Sequence, residues 1–186
     1  NIDKVADIAI AAKFRNNGQV CISPNRFYIQ ENVKDEFISA FINRAKKLKI
    51  GNGMDEGVNL GPLTTAKRLE EIEKLVDTTK KEGAKVLMGG KRPSDFNKGY
   101  YYEPTVFDKV EDNFTIMKEE PFGPLVPMLA FKTFDEVIER ANDNDLGLCS
   151  YLYTNSMDKA NRGSELLETG CVAVNTGAVA IAEAPF

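Results

Sequence analysis

Leu125-Val126-Pro127-Met128-Leu129-Ala130-Phe131-Lys132-Thr133-Phe134-Asp135-Glu136 carries two periodicities back to back, and their order decides the fold class. Leu125 to Phe131 is an unbroken apolar run of strand length. Thr133 stands three residues before Glu136, the spacing of a capping box, and opens a helix that the pattern carries to Asn142. The alternation continues in both directions. Toward the C-terminus, Cys149 to Tyr153 reads as a strand, Ser156 to Leu167 as a helix, and Cys171 to Asn175 as a buried strand. Toward the N-terminus, Tyr100 to Val106 reads as an extended aromatic segment at an exposed edge, and Ala84 to Met88 as a strand ended by Gly89-Gly90. A helix from Thr64 or Thr65 runs through Leu69, Ile72 and Val76 to a C-terminal cap at Gly83. Another runs from Asn32 as N-cap to Leu48, with Val33, Phe37, Phe41 and Leu48 on its buried face. Arg26 to Ile29 is a short strand. The first helix covers Asn1 to about Arg15, with Val5, Ile8, Ala9 and Ala12 at helical spacing, and Asn16-Asn17-Gly18 breaks it. Alternation of this kind predicts an α/β fold: an open, mostly parallel twisted sheet with helices on both faces.

The chain has 186 residues, enough for one sizeable core. Its 42% hydrophobic and 28% charged residues are those of an ordinary globular protein, and its net charge of −4 gives no electrostatic ground for nucleic acid or an anionic membrane surface as partner. There is no histidine, which removes Ser-His and Cys-His pairs, imidazole acid-base chemistry and His-ligated metal sites, so no metal is expected. Cys21, Cys149 and Cys171 are odd in number and far apart, without a CxxC pair, which fits reduced thiols in the cytoplasm. No apolar run approaches the roughly 20 residues that span a bilayer. Asn1 is not a start methionine and the chain stops at Ala184-Pro185-Phe186 after a buried-looking strand, so a piece of a longer protein is expected.

Three segments invite chemistry. In Phe14-Arg15-Asn16-Asn17-Gly18-Gln19-Val20-Cys21-Ile22-Ser23, a cysteine follows a Gly-containing break between a helix and a strand. Such a turn holds a thiol at a cleft beside backbone N–H groups, as a nucleophile and its oxyanion hole require; the competing reading is a small buried hydrophobe. Cys149 and Cys171, inside apolar strands, read as structural. In Lys118-Glu119-Glu120-Pro121-Phe122-Gly123-Pro124, two prolines stiffen the loop and fix where Glu120 and Phe122 point. Glu120 could accept from a sugar hydroxyl, or the loop is structural only. Gly51-Asn52-Gly53 with Gly57 and Gly61 lacks the strand-GxGxxG-helix order of a phosphate cradle and reads as turns.

Taken in order, these segments resemble the cysteine-bearing catalytic domain of the aldehyde dehydrogenase superfamily. The resemblance rests on Asn16-Asn17-Gly18-Gln19-Val20-Cys21, Gly61-Pro62-Leu63, Gly89-Gly90-Lys91, Tyr102-Glu103-Pro104-Thr105-Val106 and Glu119-Glu120-Pro121-Phe122-Gly123-Pro124. It continues with Ala141-Asn142, Leu146-Gly147-Leu148, Gly170-Cys171-Val172-Ala173-Val174-Asn175 and Ala184-Pro185-Phe186, so that it spans nearly the whole chain. It implies oxidation of an aldehyde to a carboxylate with NAD or NADP. Cys21 would be the nucleophile, passing through a thiohemiacetal and a thioester. Glu120 would hold the nicotinamide ribose and Phe122 would pack beside the nicotinamide ring.

The resemblance also implies what lies elsewhere. Residues 1–186 would be the catalytic domain, with the glutamate base, an asparagine oxyanion donor and the cofactor-binding domain upstream. The C-terminal tail used in homo-oligomers would follow. Glu31, Glu36 and Glu119 are not promoted to the missing base. Lys13-Phe14-Arg15-Asn16 resembles the succinate-semialdehyde branch, in which an arginine at the place of Arg15 binds the substrate carboxylate; otherwise Arg15 is a helix-end arginine on structural carbonyls. Ala178-Val179-Ala180-Ile181-Ala182 lacks the serine usual in that branch, which admits a related semialdehyde or a more apolar aldehyde. Ser23 stands where some relatives carry a second cysteine, so no Cys-x-Cys switch can form. The alternatives are a non-catalytic α/β binding module and an acylating, coenzyme A-dependent enzyme.

Overall fold

The computed structural model describes residues 1–182. Its helices are α1 (Ile2–Phe14), α2 (Lys34–Ala45), α3 (Ala66–Lys81), α4 (Thr115–Lys118), α5 (Phe134–Asn142) and α6 (Met157–Leu166). The strands are β1 (Phe27–Gln30), β2 (Lys85–Met88), β3 (Thr105–Asp108), β4 (Leu125–Phe131), β5 (Cys149–Leu152) and β6 (Cys171–Val174).

Four strands form one sheet in the order β1-β4-β3-β2. β4 pairs in parallel with β1 and with β3, and only β2 joins antiparallel. The alternation of β4 separates two cores. Leu125 and Leu129 face Leu69, Ile72 and Val76 of α3 and Ile116 and Met117 of α4, whereas Val126 and Met128 face Ala6 and Ala9 of α1 and Phe37 and Phe41 of α2. Burial on both faces explains the unbroken apolar run. The α/β class, the mostly parallel pairing and the helices on both faces are as the sequence predicts.

Four details differ. β5 and β6 pair in parallel as a separate two-stranded sheet, not as a continuation of the first. Only Ala173 of β6 is buried, so Cys171 to Asn175 is not a buried strand. The strand placed at Tyr100–Val106 lies at Thr105–Asp108, inside the sheet, with Val106 and Phe107 fully buried. Tyr102 is buried too, but from a loop. Finally, Asn32 does not cap α2. A 3-10 turn over Glu31–Val33 precedes the helix, which starts after Val33 without a side-chain cap and ends at Ala45.

The other starts are as read. Thr65 accepts from the Arg68 N–H, Ser156 from the Lys159 N–H, and Thr133 with Glu136 closes the full capping box. Among the described residues, no helix is long and apolar enough to cross a membrane.

Candidate active site

The break after α1 is built from the residues best suited to it. Asn16, Asn17 and Gly18 take φ of 48°, 58° and 75°, a left-handed run that asparagine and glycine adopt most readily. The chain then turns through Val20–Ser23, closed by the Ser23 N–H donating to the Val20 carbonyl at 2.9 Å, with Cys21 exposed. Exposure removes the buried-hydrophobe reading of this thiol.

Both flanks of the turn are pinned. On the incoming side, Asn17 donates through Nδ2 to the Gly61 carbonyl at 3.0 Å. Gln19 Oε1 accepts from the Thr64 N–H and hydroxyl at 2.8 and 2.7 Å. On the outgoing side, the Tyr151 hydroxyl donates to the Ile22 carbonyl at 2.8 Å. The buried Ser23 hydroxyl donates to the Lys13 carbonyl at 3.2 Å, and Lys13 Nζ donates to Asn25 Oδ1 at 3.2 Å.

The loop after α4 meets this turn backbone to backbone. A Cβ on Gly18 would lie 2.7 Å from the Gly123 carbonyl carbon and closer still to its oxygen. Phe122 is held at φ 45°, an unusual conformation for a bulky residue and one that persists only where its neighbours impose it. They do so here: Pro121 is buried and its carbonyl accepts from Arg68 at 3.3 Å, while the Thr105 N–H donates to the Pro124 carbonyl at 2.8 Å. Glu120 is exposed at the start of this loop, and among the described residues its carboxylate has no hydrogen-bond partner.

Cys21 and Glu120 line one cavity of about 680 Å³, together with Ser23, Asn25 and Tyr151. Phe122 does not line it. Arg15, exposed just past the end of α1, lines a separate pocket of about 240 Å³ with Val20, Ile22, Tyr151 and Gly177. The structure thus brings Cys21 and Glu120 together and sets Arg15 on the other flank of the cysteine turn. The Ala178–Ala182 segment does not line that pocket, and Ala184-Pro185-Phe186 lie outside the described residues.

Sequence reasoning missed Gln19, Tyr151 and above all Lys13. Lys13 is fully buried, and burial alone pulls its amine from 10.5 down to about 7. The signal was available: Ala6, Ala9 and Lys13 share one helical stripe. A depressed lysine pKa means that the unfolded chain binds the proton more tightly than the fold does, so stability rises as pH climbs from about 7 to 10.5. The full difference is on the order of 5 kcal/mol. Lys13→Met should therefore denature at a higher temperature than the wild type at pH 6.5, with the gap narrowing toward pH 9.5. A gap that stays constant over that range would show that Lys13 keeps its proton in the fold.

Residues 1–186 match the aldehyde dehydrogenase family model from end to end, and the chain belongs to that family. It is 41% identical over 186 residues to glutarate-semialdehyde dehydrogenase of Pseudomonas putida, covering all of this chain and 38% of the relative. It is 39% identical, with the same coverage, to the NADP(+)-dependent succinate-semialdehyde dehydrogenase of Escherichia coli. The crystal structure of succinate-semialdehyde dehydrogenase from Burkholderia pseudomallei superposes with a TM-score of 0.96 at 38% identity, covering 100% of this chain and 38% of the other. The chain spans well under half the length of the relatives it matches.

Proposed function

We propose that this chain is the cysteine-bearing catalytic domain of an NAD(P)-dependent dehydrogenase that oxidises a semialdehyde, succinate semialdehyde or a close homologue, to a carboxylate. The observation that carries the reading is the exposed Cys21 thiol at the apex of a turn pinned on both flanks, in one cavity with the unengaged Glu120 carboxylate. The Cys21 sulfur adds to the aldehyde carbon, giving a thiohemiacetal whose oxygen carries the developing charge. Among the described residues nothing accepts from the Cys21 N–H, which leaves that donor free for the oxyanion. Glu120, an acceptor on a rigid loop, suits the ribose hydroxyls of a dinucleotide, and Phe122 offers an apolar ring beside it. When bound, the dinucleotide supplies the hydride acceptor that takes the adduct to the thioester. Water then releases the acid from Cys21. In this reading the base that activates the water, the dinucleotide-binding domain and the oligomer contacts belong to other parts of a cytoplasmic homo-oligomer.

Arg15 supports a carboxylate-bearing substrate, because its pocket shares Ile22 and Tyr151 with the cavity that Cys21 lines. Its guanidinium can pair bidentately with a carboxylate at the far end of a short aldehyde, while the apolar pocket walls take the methylenes. In the full-length enzyme, Arg15→Gln should raise KM for succinate and glutarate semialdehydes about tenfold or more and leave butanal nearly unchanged, as followed by absorbance of the reduced cofactor. Equal losses for charged and uncharged aldehydes would remove Arg15 from substrate binding. An enzyme that turns over no aldehyde with either NAD or NADP would end the proposal itself.

A further inference from the structure

The mechanism above gives Lys13 no chemical step, yet three of the five buried polar side chains among the described residues, Lys13, Asn17 and Ser23, cluster on the cysteine turn. Lys13 is the only one of the five that can carry charge. Among the described residues it has no carboxylate partner, and its amine makes a single hydrogen bond, to Asn25 Oδ1 at 3.2 Å. Its own carbonyl accepts from Ser23. One residue of α1 thus grips the chain at positions 23 and 25, directly after the nucleophile. α1 is a firm base for that grip, because Ala6 and Ala9 are packed into the core.

We propose that Lys13 is a positioning residue for Cys21: its buried amine, acting through Asn25, holds the outgoing flank of the turn so that thiol and turn amides keep one geometry while the acyl group is attached and released. The proposal rests on Cys21 being the nucleophile. A residue that only filled the core would stabilise it, whereas an amine buried without an ion pair opposes folding below about pH 10. Positioning and stability therefore pull in opposite directions here, and the two roles separate experimentally.

The test uses the full-length protein with Lys13→Met, Asn25→Ala and the pair combined. Hydrogen–deuterium exchange is followed at Ile22–Asn25, and kcat and KM are measured with succinate semialdehyde. Each single variant should speed exchange of that segment about tenfold and lower kcat about tenfold, with KM within about twofold. The double variant should match the worse single, because both changes break one link. Lys13→Met should do this while melting at a higher temperature than the wild type at pH 6.5. Unchanged exchange in either single variant, or effects that multiply in the double, would overturn the proposal. If Lys13→Met does not fold, Asn25→Ala, at a partly exposed position, decides alone by the same exchange criterion. Faster exchange at Ile22–Asn25 in a protein that oxidises no aldehyde would sink the proposed function and leave the grip of Lys13 on the turn intact.

Discussion

Replacing Cys21 with alanine in the full-length enzyme should lower aldehyde oxidation by about 10⁴-fold or more, since loss of a covalent nucleophile removes the reaction path and not merely one contact. The other thiols provide the internal control. Cys149 is half-buried in β5 and burial pushes its thiol up, so it holds less thiolate at neutral pH than an unburied cysteine. Cys171 stands opposite it in β6, in register. Cys149→Ala and Cys171→Ala should each lower stability by about 1 kcal/mol and leave kcat nearly intact. Limiting iodoacetamide followed by peptide mass mapping should label Cys21 first, with activity falling in proportion to that label. Retained turnover in Cys21→Ala, or loss of activity that tracks labelling of Cys149, would exclude Cys21 as the nucleophile.

The second large effect should come from a single methyl group. Gly18→Ala places a Cβ against the Gly123 carbonyl, where backbone and not a flexible side chain must give way, and it does so at φ 75°. The left-handed conformation alone costs roughly 1–2 kcal/mol for a residue with a Cβ, and the clash adds to it, for a total loss of about 3 kcal/mol or more. The chemical effect should be larger. Gly18 is where the turn that carries Cys21 touches the loop that carries Glu120, so forcing the two apart by about 1 Å misaligns thiol and cofactor together and should lower kcat about 10²-fold. Gly53→Ala is the matched control: a Cβ there meets nothing within 4 Å, and its stability should change by less than about 0.5 kcal/mol. Urea denaturation and steady-state rates of both variants decide the matter. Gly18→Ala with wild-type kcat would mean that contact between the two loops is incidental to catalysis.

How much of this was legible depended on the range of the physics involved. The break at Asn16-Asn17-Gly18 and the caps at Thr65, Thr133 and Ser156 are set by a few neighbouring residues, and each stands where the sequence put it. Asn32 failed because a 3-10 turn carries the chain from β1 into α2, leaving no place for its side chain as a cap. The misplaced β3 has a tertiary cause. Tyr102 raises the strand propensity of its segment but is drawn into the core from a loop, whose backbone pairs with Leu63 and Lys91 on either side of it. The division into two sheets depends on pairings such as Phe27 with Met128, which no local pattern encodes. The separate positions of Cys21, Glu120 and Arg15 were readable as residues. That Cys21 and Glu120 share a cavity while Arg15 stands on the opposite flank was not. The buried amine beneath them left one trace, its place on the Ala6 and Ala9 stripe, which was passed over because a lysine is ordinarily solvated and a helix with one charge on its apolar stripe still reads as amphipathic.

The Tyr151 hydroxyl that holds the Ile22 carbonyl stands 129 residues further along the chain. During synthesis at about 5–20 residues per second, the cysteine turn therefore leaves the ribosome roughly 6–26 seconds before the strand that latches it. β5, α6 and β6 are contiguous and join by local pairing, so once made they can close quickly. Until then Cys21 is a nascent thiol on a half-tethered turn. In a newly made chain the exposed thiol is thus carried for a time on a turn whose outgoing flank is not yet held, and the length of that interval is set by the distance between two residues in the gene.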